Sequence, residues 1–333
     1  MSTILCTNVV EPPTQEILGE FGELVIAPHD DEDTLVSLAA DAIVIVGRGN
    51  SKITARLIDA APNLKVIGRT GIGFDMVDVV AATQRKIPVV VTPNAPTNAV
   101  AEGVYAMLFH LIKRLNNLTE AVRRGDWKYR LSVDIRDLEG STLGIVGLGR
   151  IGRRVAEMGA PFRMRILAYD PFLSPESAPP GVEMVDLETI FRESDYITLH
   201  TPLTPETHHI VNRERLAQCK RGAVLVNISR GALVDTDAVY EALQSGALEG
   251  AGLDVFDPEP IDPSHPIVNH PRVTLAPHAL GLSRMAKSRL FSDMSVDVAT
   301  ILRGGQVPLA NLANPEVYTT PAKNAGAGAT DSP

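Results

Sequence analysis

The chain is poor in cysteine, in tryptophan and in long apolar runs. It has 2 cysteines and 1 tryptophan among 333 residues. Cys6 and Cys219 lie far apart without metal-ligand spacing, so we interpret them as reduced thiols of a cytoplasmic protein. The apolar run at 42–47 is typical of a strand and too short to span a membrane. The N-terminus lacks a basic segment followed by an apolar one, so we expect no signal peptide.

The chain also has no excess of basic residues. Its 31 Lys and Arg are outnumbered by 40 Asp and Glu, which gives a formal net charge of −9. This balance argues against a nucleic-acid partner. Hydrophobic residues make up 44% of the chain, and its length is sufficient for two domains with a sizeable core.

Short apolar segments alternate with helical patterns in the first hundred residues. Helical patterns such as 54–61 and 76–84 separate the predicted strands. The predicted strands are 4–10, 24–27, 42–46, 65–69 and 89–92. This alternation predicts a parallel sheet with helices on both faces.

A second alternating series runs from about residue 143 to 277. Its six predicted strands are 143–146, 166–169, 196–199, 224–228, 251–255 and 273–275. Six strands of this kind are typical of a dinucleotide-binding sheet. The predicted fold class is therefore α/β, with two doubly wound parallel-sheet domains, one flavodoxin-like and one Rossmann-like.

Two long helical patterns determine the predicted domain boundaries. Thr97 or Asn98 is expected to cap a helix over 99–123, and a second helix over 283–303 is expected to return to the first domain. The predicted domains are 1–98 plus 285–312 and, for the Rossmann domain, 99–284. The Ala-, Gly- and Pro-rich tail over 315–333 is predicted to be disordered.

A glycine turn opens the second series. Gly147, Gly149 and Gly152 follow an apolar strand and precede a helix, and Asp170 ends the next strand. Such glycines allow a tight turn, close approach of a pyrophosphate and close helix packing, while the carboxylate accepts hydrogen bonds from a ribose. The carboxylate repels a 2′-phosphate, which favours NAD over NADP. A glycine turn that binds no ligand is the alternative.

Three polar residues follow strands of the second series. Arg230 could grip a carboxylate and carbonyl through its planar fork of donors. Glu259 beside His278 could fix the imidazole tautomer and support proton transfer. Alternatively, the arginine forms a surface ion pair and the histidine is packed or solvated. No spacing rule brings the three together. His200, at the end of a strand, is interpreted as a hydrogen-bonded structural residue.

The sequence resembles the D-isomer-specific 2-hydroxyacid dehydrogenase family over roughly residues 1–310. The motifs that carry the resemblance, in order, are GIGFD at 71–75, NAVAE at 98–102, GLGRIG at 147–152, HTPLTPET at 200–207, NISRG at 227–231, GLDVF at 252–256 and PH at 277–278. As a set they are specific for the superfamily and poorly specific for the substrate.

The resemblance implies a role for each candidate residue. Arg230 would bind and polarise the substrate, and Glu259 and His278 would form the acid/base pair. Arg150 and Ile151 would contact the pyrophosphate, and Asp170 the adenosine ribose. The remaining implied cofactor contacts are Thr201, Pro202, Thr207, Ile228, Ser229, Asp254 and Gly281. Asp254 could instead be a capping or salt-bridge carboxylate.

The first domain contains the implied substrate residues. Backbone N–H groups of Gly71, Ile72 and Gly73 would hold the substrate carboxylate, although the same glycines also suit a strand-to-helix turn. Arg48 and Arg69 would meet an anionic substrate, as in phosphoglycerate dehydrogenases, although exposed arginines are common. We expect no counterpart of the regulatory extension that many of those enzymes have.

The segment after His278 departs from the family. It reads Ala279-Leu280-Gly281, where the family often has a glycine or small pair directly after the histidine. This departure puts the shape of the pocket near the nicotinamide in question.

The resemblance implies an NAD-dependent D-2-hydroxyacid dehydrogenase, equivalently a reductase of small 2-oxo acids. It is expected to be a homodimer through helix 99–123, with no nucleic-acid or membrane partner. A phosphoglycerate dehydrogenase or a hydroxypyruvate/glyoxylate reductase is the alternative within this class. A non-enzymatic NAD(H)-sensing interaction protein is the alternative outside it.

Overall fold

The structure, a computed structural model, describes residues 2–318. The chain divides into two compact units. Unit 1 comprises the segment up to Ala95 and the segment from Lys287 onward, and unit 2 is Pro96–Ala286. No helix within residues 2–318 is long and apolar enough to cross a bilayer.

Unit 1 is built on a five-stranded parallel sheet with the order β2-β1-β3-β4-β5. Its strands are β1 Thr3–Cys6, β2 Glu23–Ile26, β3 Ala42–Gly47, β4 Val66–Arg69 and β5 Val89–Val90. Its helices before residue 95 are α1 Pro12–Leu18, α2 Glu32–Leu38, α3 Ala55–Asp59 and α4 Val79–Gln84. Every residue of β3 is buried, as expected for a central strand covered on both faces.

Unit 2 is built on a seven-stranded parallel sheet with the order β12-β11-β10-β9-β6-β7-β8. Its strands are β6 Thr142–Val146, β7 Arg165–Tyr169, β8 Val182–Met184, β9 Tyr196–Leu199, β10 Ala223–Asn227, β11 Leu248–Leu253 and β12 Val273–Leu275. Its helices are α5 Thr97–Ile112, α6 Leu115–Arg123, α7 Arg150–Gly159, α8 Leu187–Glu193, α9 Arg213–Ala217 and α10 Thr236–Ser245. The strand order reverses between β6 and β9, which is where ligands bind in doubly wound sheets.

The last helix, α11, spans Arg284–Leu302. Its residues Phe291, Met294 and Val298 are buried in one apolar cluster with residues of β1 and β3. Gly68 of β4 allows close contact, because a Cβ there would lie 2.5 Å from the Met294 sulfur. Most of α11 is therefore part of the core of unit 1.

The predicted α/β class with two parallel sheets is confirmed, and several boundaries were wrong. The second sheet has seven strands instead of the six predicted. The additional strand, β8, was missed because it is short and incompletely buried. The predicted strand 4–10 ends at Cys6, and the strand 89–92 ends at Val90. Strand β11 begins at Leu248 and ends before Val255. At the carboxyl ends of these strands the apolar pattern extends beyond the ladder, so it did not reveal where pairing stops.

The predicted helix 99–123 is two helices. Arg114 adopts a left-handed conformation with φ of 54° between α5 and α6, and its side chain pairs with Glu249. Neither Thr97 nor Asn98 caps α5, because the helix already begins at Thr97 after Pro96 and shows no side-chain cap.

The predicted disordered tail also began too early. Pro315–Tyr318 forms a 3₁₀ turn. The rest of that prediction, 319–333, lies outside the described residues.

Candidate cofactor-binding and catalytic site

The glycine turn joins β6 to α7. Gly147 has φ of +94°, a conformation that favours glycine, and a Cβ there would lie 2.8 Å from the backbone of His200. A Cβ at Gly152 would lie 2.1 Å from the Gly147 carbonyl oxygen. Helix α7 therefore packs too closely on the turn for a side chain at Gly152, and the backbone after β9 leaves no room for one at Gly147.

The space before α7 is open. Gly149 is the N-cap residue and provides no side-chain cap, and a Cβ placed on it would meet no atom within 4 Å. The first N–H groups of α7 and the positive end of its dipole point toward this space. A pyrophosphate is the ligand that such a helix N-terminus suits. Arg150 is exposed beside it, and the half-buried Ile151 packs on the core.

Asp170 fixes the glycine turn at the end of β7. One of its carboxylate oxygens accepts a hydrogen bond from Leu148 N at 2.9 Å, and the other accepts one from Phe172 N at 3.0 Å. Beside the turn, the buried Thr201 hydroxyl has no hydrogen-bond partner among the described residues. The turn, the open helix end and this hydroxyl all fit a dinucleotide.

Arg230 lies in the loop after β10, and Asn227 shapes this loop. The Asn227 side chain is fully buried, accepts a hydrogen bond from Ser229 N at 3.0 Å and donates one to Arg230 O at 2.8 Å. The Ser229 hydroxyl donates to Thr201 O at 2.8 Å. Sequence reasoning placed Asn227 only inside a motif. Its position at the end of a buried strand was the signal for its loop-shaping role.

The loop after β10 contacts the loop after β11. A Cβ at Gly231 would lie 1.9 Å from the Phe256 backbone, so the two main chains are in direct contact. Phe256 N in turn donates to a Glu259 carboxylate oxygen at 3.1 Å. Arg230 and Glu259 therefore stand on adjoining loops at the carboxyl ends of neighbouring strands.

His278 and Glu259 form a hydrogen-bonded pair. His278 Nδ1 lies 3.0 Å from Glu259 Oε2. The carboxylate is mostly buried, whereas 48% of the imidazole side chain is exposed. The pairing directs Nδ1 toward the carboxylate and keeps the other ring nitrogen accessible, as proton exchange with a ligand requires.

Asp254 is buried beneath the histidine. Its main-chain oxygen accepts a hydrogen bond from His278 N at 2.7 Å. Its carboxylate accepts bonds from Ala279 N at 2.8 Å and Leu280 N at 3.2 Å. Burial raises the pKa of this carboxyl group above its ordinary value. These contacts match the capping role that was the alternative for Asp254.

The other implied cofactor residues have structural contacts of their own. The Thr207 hydroxyl donates to Pro202 O at 2.7 Å and closes the 202–207 turn. Ile228 is buried in the core of unit 2. A Cβ at Gly281 would lie 3.1 Å from Val100 of α5.

The implied substrate residues of unit 1 lie on loops whose backbone carbonyl groups accept hydrogen bonds from arginine side chains. Gly71 has φ of +132°, and its N–H already donates to the Thr92 hydroxyl at 2.8 Å. Arg69 donates to Gly73 O at 3.1 Å and Gly49 O at 2.6 Å. Of the three implied N–H groups, those of Ile72 and Gly73 are therefore the candidates for binding a carboxylate.

Arg48 also contacts its own unit. Its guanidinium donates to Val9 O at 2.5 Å and lies 5.4 Å from the centre of the Phe291 ring. Both arginines thus bind backbone carbonyl groups within unit 1.

Known proteins share this fold. Residues 105–279 match the NAD-binding domain model of the D-isomer specific 2-hydroxyacid dehydrogenases. A D-3-phosphoglycerate dehydrogenase of Methanocaldococcus jannaschii is 38% identical over 91% of this chain and 58% of its own length. A glyoxylate reductase of Korarchaeum cryptofilum is 39% identical over 92% of this chain and 88% of its own length.

A solved structure shows the same architecture. D-lactate dehydrogenase of Aquifex aeolicus, complexed with NAD and lactic acid, superposes with a TM-score of 0.84 at 30% identity, covering 94% of this chain and 99% of that one. The matched family and these relatives define an NAD-dependent oxidoreductase that acts on CH–OH groups. The chain belongs to the D-isomer specific 2-hydroxyacid dehydrogenase family. It spans little more than half the length of the phosphoglycerate dehydrogenases it matches.

Proposed function

We propose that this protein is an NAD-dependent reductase of small 2-oxo acids, and equally a dehydrogenase of D-2-hydroxy acids. The contact between His278 and Glu259, at the same sheet edge as the glycine turn, is the observation that carries the proposal. The predicted cofactor domain, 99–284, would correspond to unit 2, and the predicted substrate domain, 1–98 plus 285–312, to unit 1.

Bound nicotinamide supplies hydride transfer. His278 protonates the substrate carbonyl oxygen during reduction and accepts the proton in the reverse direction, through the ring nitrogen that does not face Glu259. The Glu259 carboxylate holds the ring in one tautomer and one orientation. Arg230 binds the substrate carboxylate and polarises the carbonyl group.

We propose that the substrates are unphosphorylated acids such as glyoxylate and hydroxypyruvate. The glyoxylate reductase among the relatives supports this choice, because the chain covers most of its length. The contacts of Arg48 and Arg69 support it as well, because both guanidinium groups already donate to backbone carbonyls. Phosphoglycerate chemistry is the alternative, and it has the support of the Methanocaldococcus relative.

The test is the loss of NADH absorbance with glyoxylate, hydroxypyruvate, pyruvate and phosphohydroxypyruvate. We expect turnover with the first two, and a marked rise in KM when Arg230 is replaced by lysine, whose point charge lacks the planar fork. A chain that binds NADH and turns over none of the four acids would contradict the proposal. Preference for the phosphorylated acid would support the alternative.

We further propose a cytoplasmic homodimer that prefers NAD over NADP. The segment 115–135 exposes several large apolar side chains, which a second copy could cover. They are Leu115, Val122, Trp127, Leu131 and Ile135. The Asp170 carboxylate supports the NAD preference, and the two free cysteines agree with a reducing compartment.

A further inference from the structure

We propose that Leu280 and Gly103 form a matched pair that positions the acid/base histidine. Leu280 is the residue by which this chain departs from the small residues usual after the histidine. Gly103 lies on α5 and provides the space that the leucine needs. The proposal rests on the function proposed above, because it assigns His278 the proton transfer.

Gly103 and Leu280 meet at the closest approach of α5 to the turn after His278. A Cβ on Gly103 would lie 2.9 Å from Leu280 Cβ and 3.5 Å from Leu280 Cδ1. The Ile228 side chain lies 3.3 Å from the same point. The first distance is shorter than real Cβ contacts, and it involves the root of the leucine side chain, which cannot rotate away. An alanine at 103 must therefore push α5 and the main chain at 280 apart.

That main chain is tied to the site. Leu280 N and Ala279 N both donate to the buried Asp254 carboxylate, and His278 N donates to the Asp254 carbonyl oxygen. His278 itself is held at φ of +53°, a conformation that only surrounding contacts maintain in a residue with a side chain. A shift at Leu280 therefore strains three hydrogen bonds to Asp254, two to its carboxylate and one to its main-chain oxygen.

The orientation of the imidazole depends on these hydrogen bonds to Asp254. Its ring must stay 3.0 Å from Glu259, whose carboxylate is fixed by Phe256 N on another loop. Displacement of the turn against the fixed carboxylate misaligns the pair, and a misplacement of about 1 Å can cost on the order of 10²-fold in rate. Leu280 and Gly103 are thus positioning residues that act through Asp254 and His278.

The experiment compares Gly103→Ala with the double variant Gly103→Ala/Leu280→Gly. We expect Gly103→Ala to lower kcat by about tenfold or more, with little change in KM or in the Kd of NADH. This loss cannot come from weaker helix formation, since alanine is the better helix former. The double variant should regain much of the lost kcat, because a glycine at 280 has no Cβ for the alanine at 103 to meet. Ala106→Ser, at an exposed position of the same helix, is the control.

A second measurement is independent of turnover. Hydrogen exchange at Ala279 N and Leu280 N should accelerate in Gly103→Ala and return toward the wild-type rate in the double variant. Unchanged exchange and kcat in Gly103→Ala would overturn the proposal, and so would a double variant no better than the single one. If Gly103→Ala does not fold, Leu280→Ala decides by itself: faster exchange with a lower kcat supports the pair, and wild-type values refute it. A wild-type protein inactive on every acid contradicts the proposed function, while the exchange result still tests the pair.

Discussion

His278 Nδ1 and Glu259 Oε2 are 3.0 Å apart although the residues come from loops after different strands. Glu259 follows β11, whereas His278 follows the edge strand β12. The contact exists because these strands are neighbours and parallel, so their carboxyl ends open at one edge of the sheet. The predictions below start from this edge.

Replacement of His278 by glutamine should lower kcat by roughly 10²–10⁴, because the amide cannot exchange a proton with the substrate. NADH affinity, measured by fluorescence titration, should be nearly unchanged. The same substitution at the exposed His29 serves as the control and should leave both values unchanged. Near-normal turnover in His278→Gln would remove the histidine from the mechanism.

Gly149→Ala should separate binding from folding. The residue has φ of −73° and no neighbour within 4 Å of an added Cβ, so the melting temperature should stay close to the wild-type value. The Kd of NADH should rise about tenfold or more, about 1.4 kcal/mol, since the methyl group occupies space needed by a pyrophosphate. Calorimetric titration measures this.

Gly152→Ala is the matched contrast to Gly149→Ala. Its Cβ would lie 2.1 Å from Gly147 O, so this variant should lose stability as well as NADH binding. If Gly149→Ala binds NADH as tightly as the wild type, the phosphates do not bind at the N-terminus of α7.

Asp170→Asn should weaken the preference for NADH over NADPH. The neutral amide no longer repels a 2′-phosphate, and the ratio of kcat/KM for NADPH to that for NADH should rise about tenfold. Asparagine can accept from only one of the N–H groups of Leu148 and Phe172, so the melting temperature is measured alongside to check that the turn is preserved. An unchanged ratio would mean that another group selects the cofactor.

His200 should make the protein sensitive to acid. The residue is hydrogen-bonded to the Thr198 hydroxyl at 3.0 Å, which confirms its interpretation as structural, and burial lowers its pKa to about 3 from 6.5. Between these values the unfolded chain binds the extra proton, so the free energy of unfolding falls as the pH drops from 6.5 toward 3. The slope contributed by one group is at most about 1.4 kcal/mol per pH unit.

His200→Gln should flatten this dependence. Melting temperatures measured at pH about 7.5 and about 5 should differ less in the variant than in the wild type. His29→Gln controls for the loss of an exposed imidazole. An equal pH effect in wild type and His200→Gln would show that other groups cause the acid sensitivity.

Leu131→Glu should disrupt the proposed dimer. This side chain is 80% exposed, so the change costs little within one chain, but a charge buried in an apolar interface is strongly unfavourable. Sedimentation should show a dimer for the wild type and a monomer for the variant. Val80→Glu, on the exposed face of α4, is the matched control. A wild-type monomer would contradict the dimer directly.

The sequence by itself determined the sheet class, the glycine turn and the candidate residues. These signals are local: strands appear as short apolar runs, and the turn requires glycine because a Cβ at 147 or 152 would overlap the backbone. Strand ends, the break at Arg114 and the weak strand β8 depended on pairing partners elsewhere, which no local pattern encodes.

Only the tertiary structure decided which distant residues meet. It brought Glu259 to His278, placed Asp254 under the histidine as a backbone anchor, and set Leu280 over Gly103. None of these contacts joins residues at a helical or strand spacing in sequence, because each contact is between separate elements of unit 2. The physical reason is that the sequence specifies the chemical type of each side chain, whereas contacts between distant side chains depend on strand order and close packing across the whole unit.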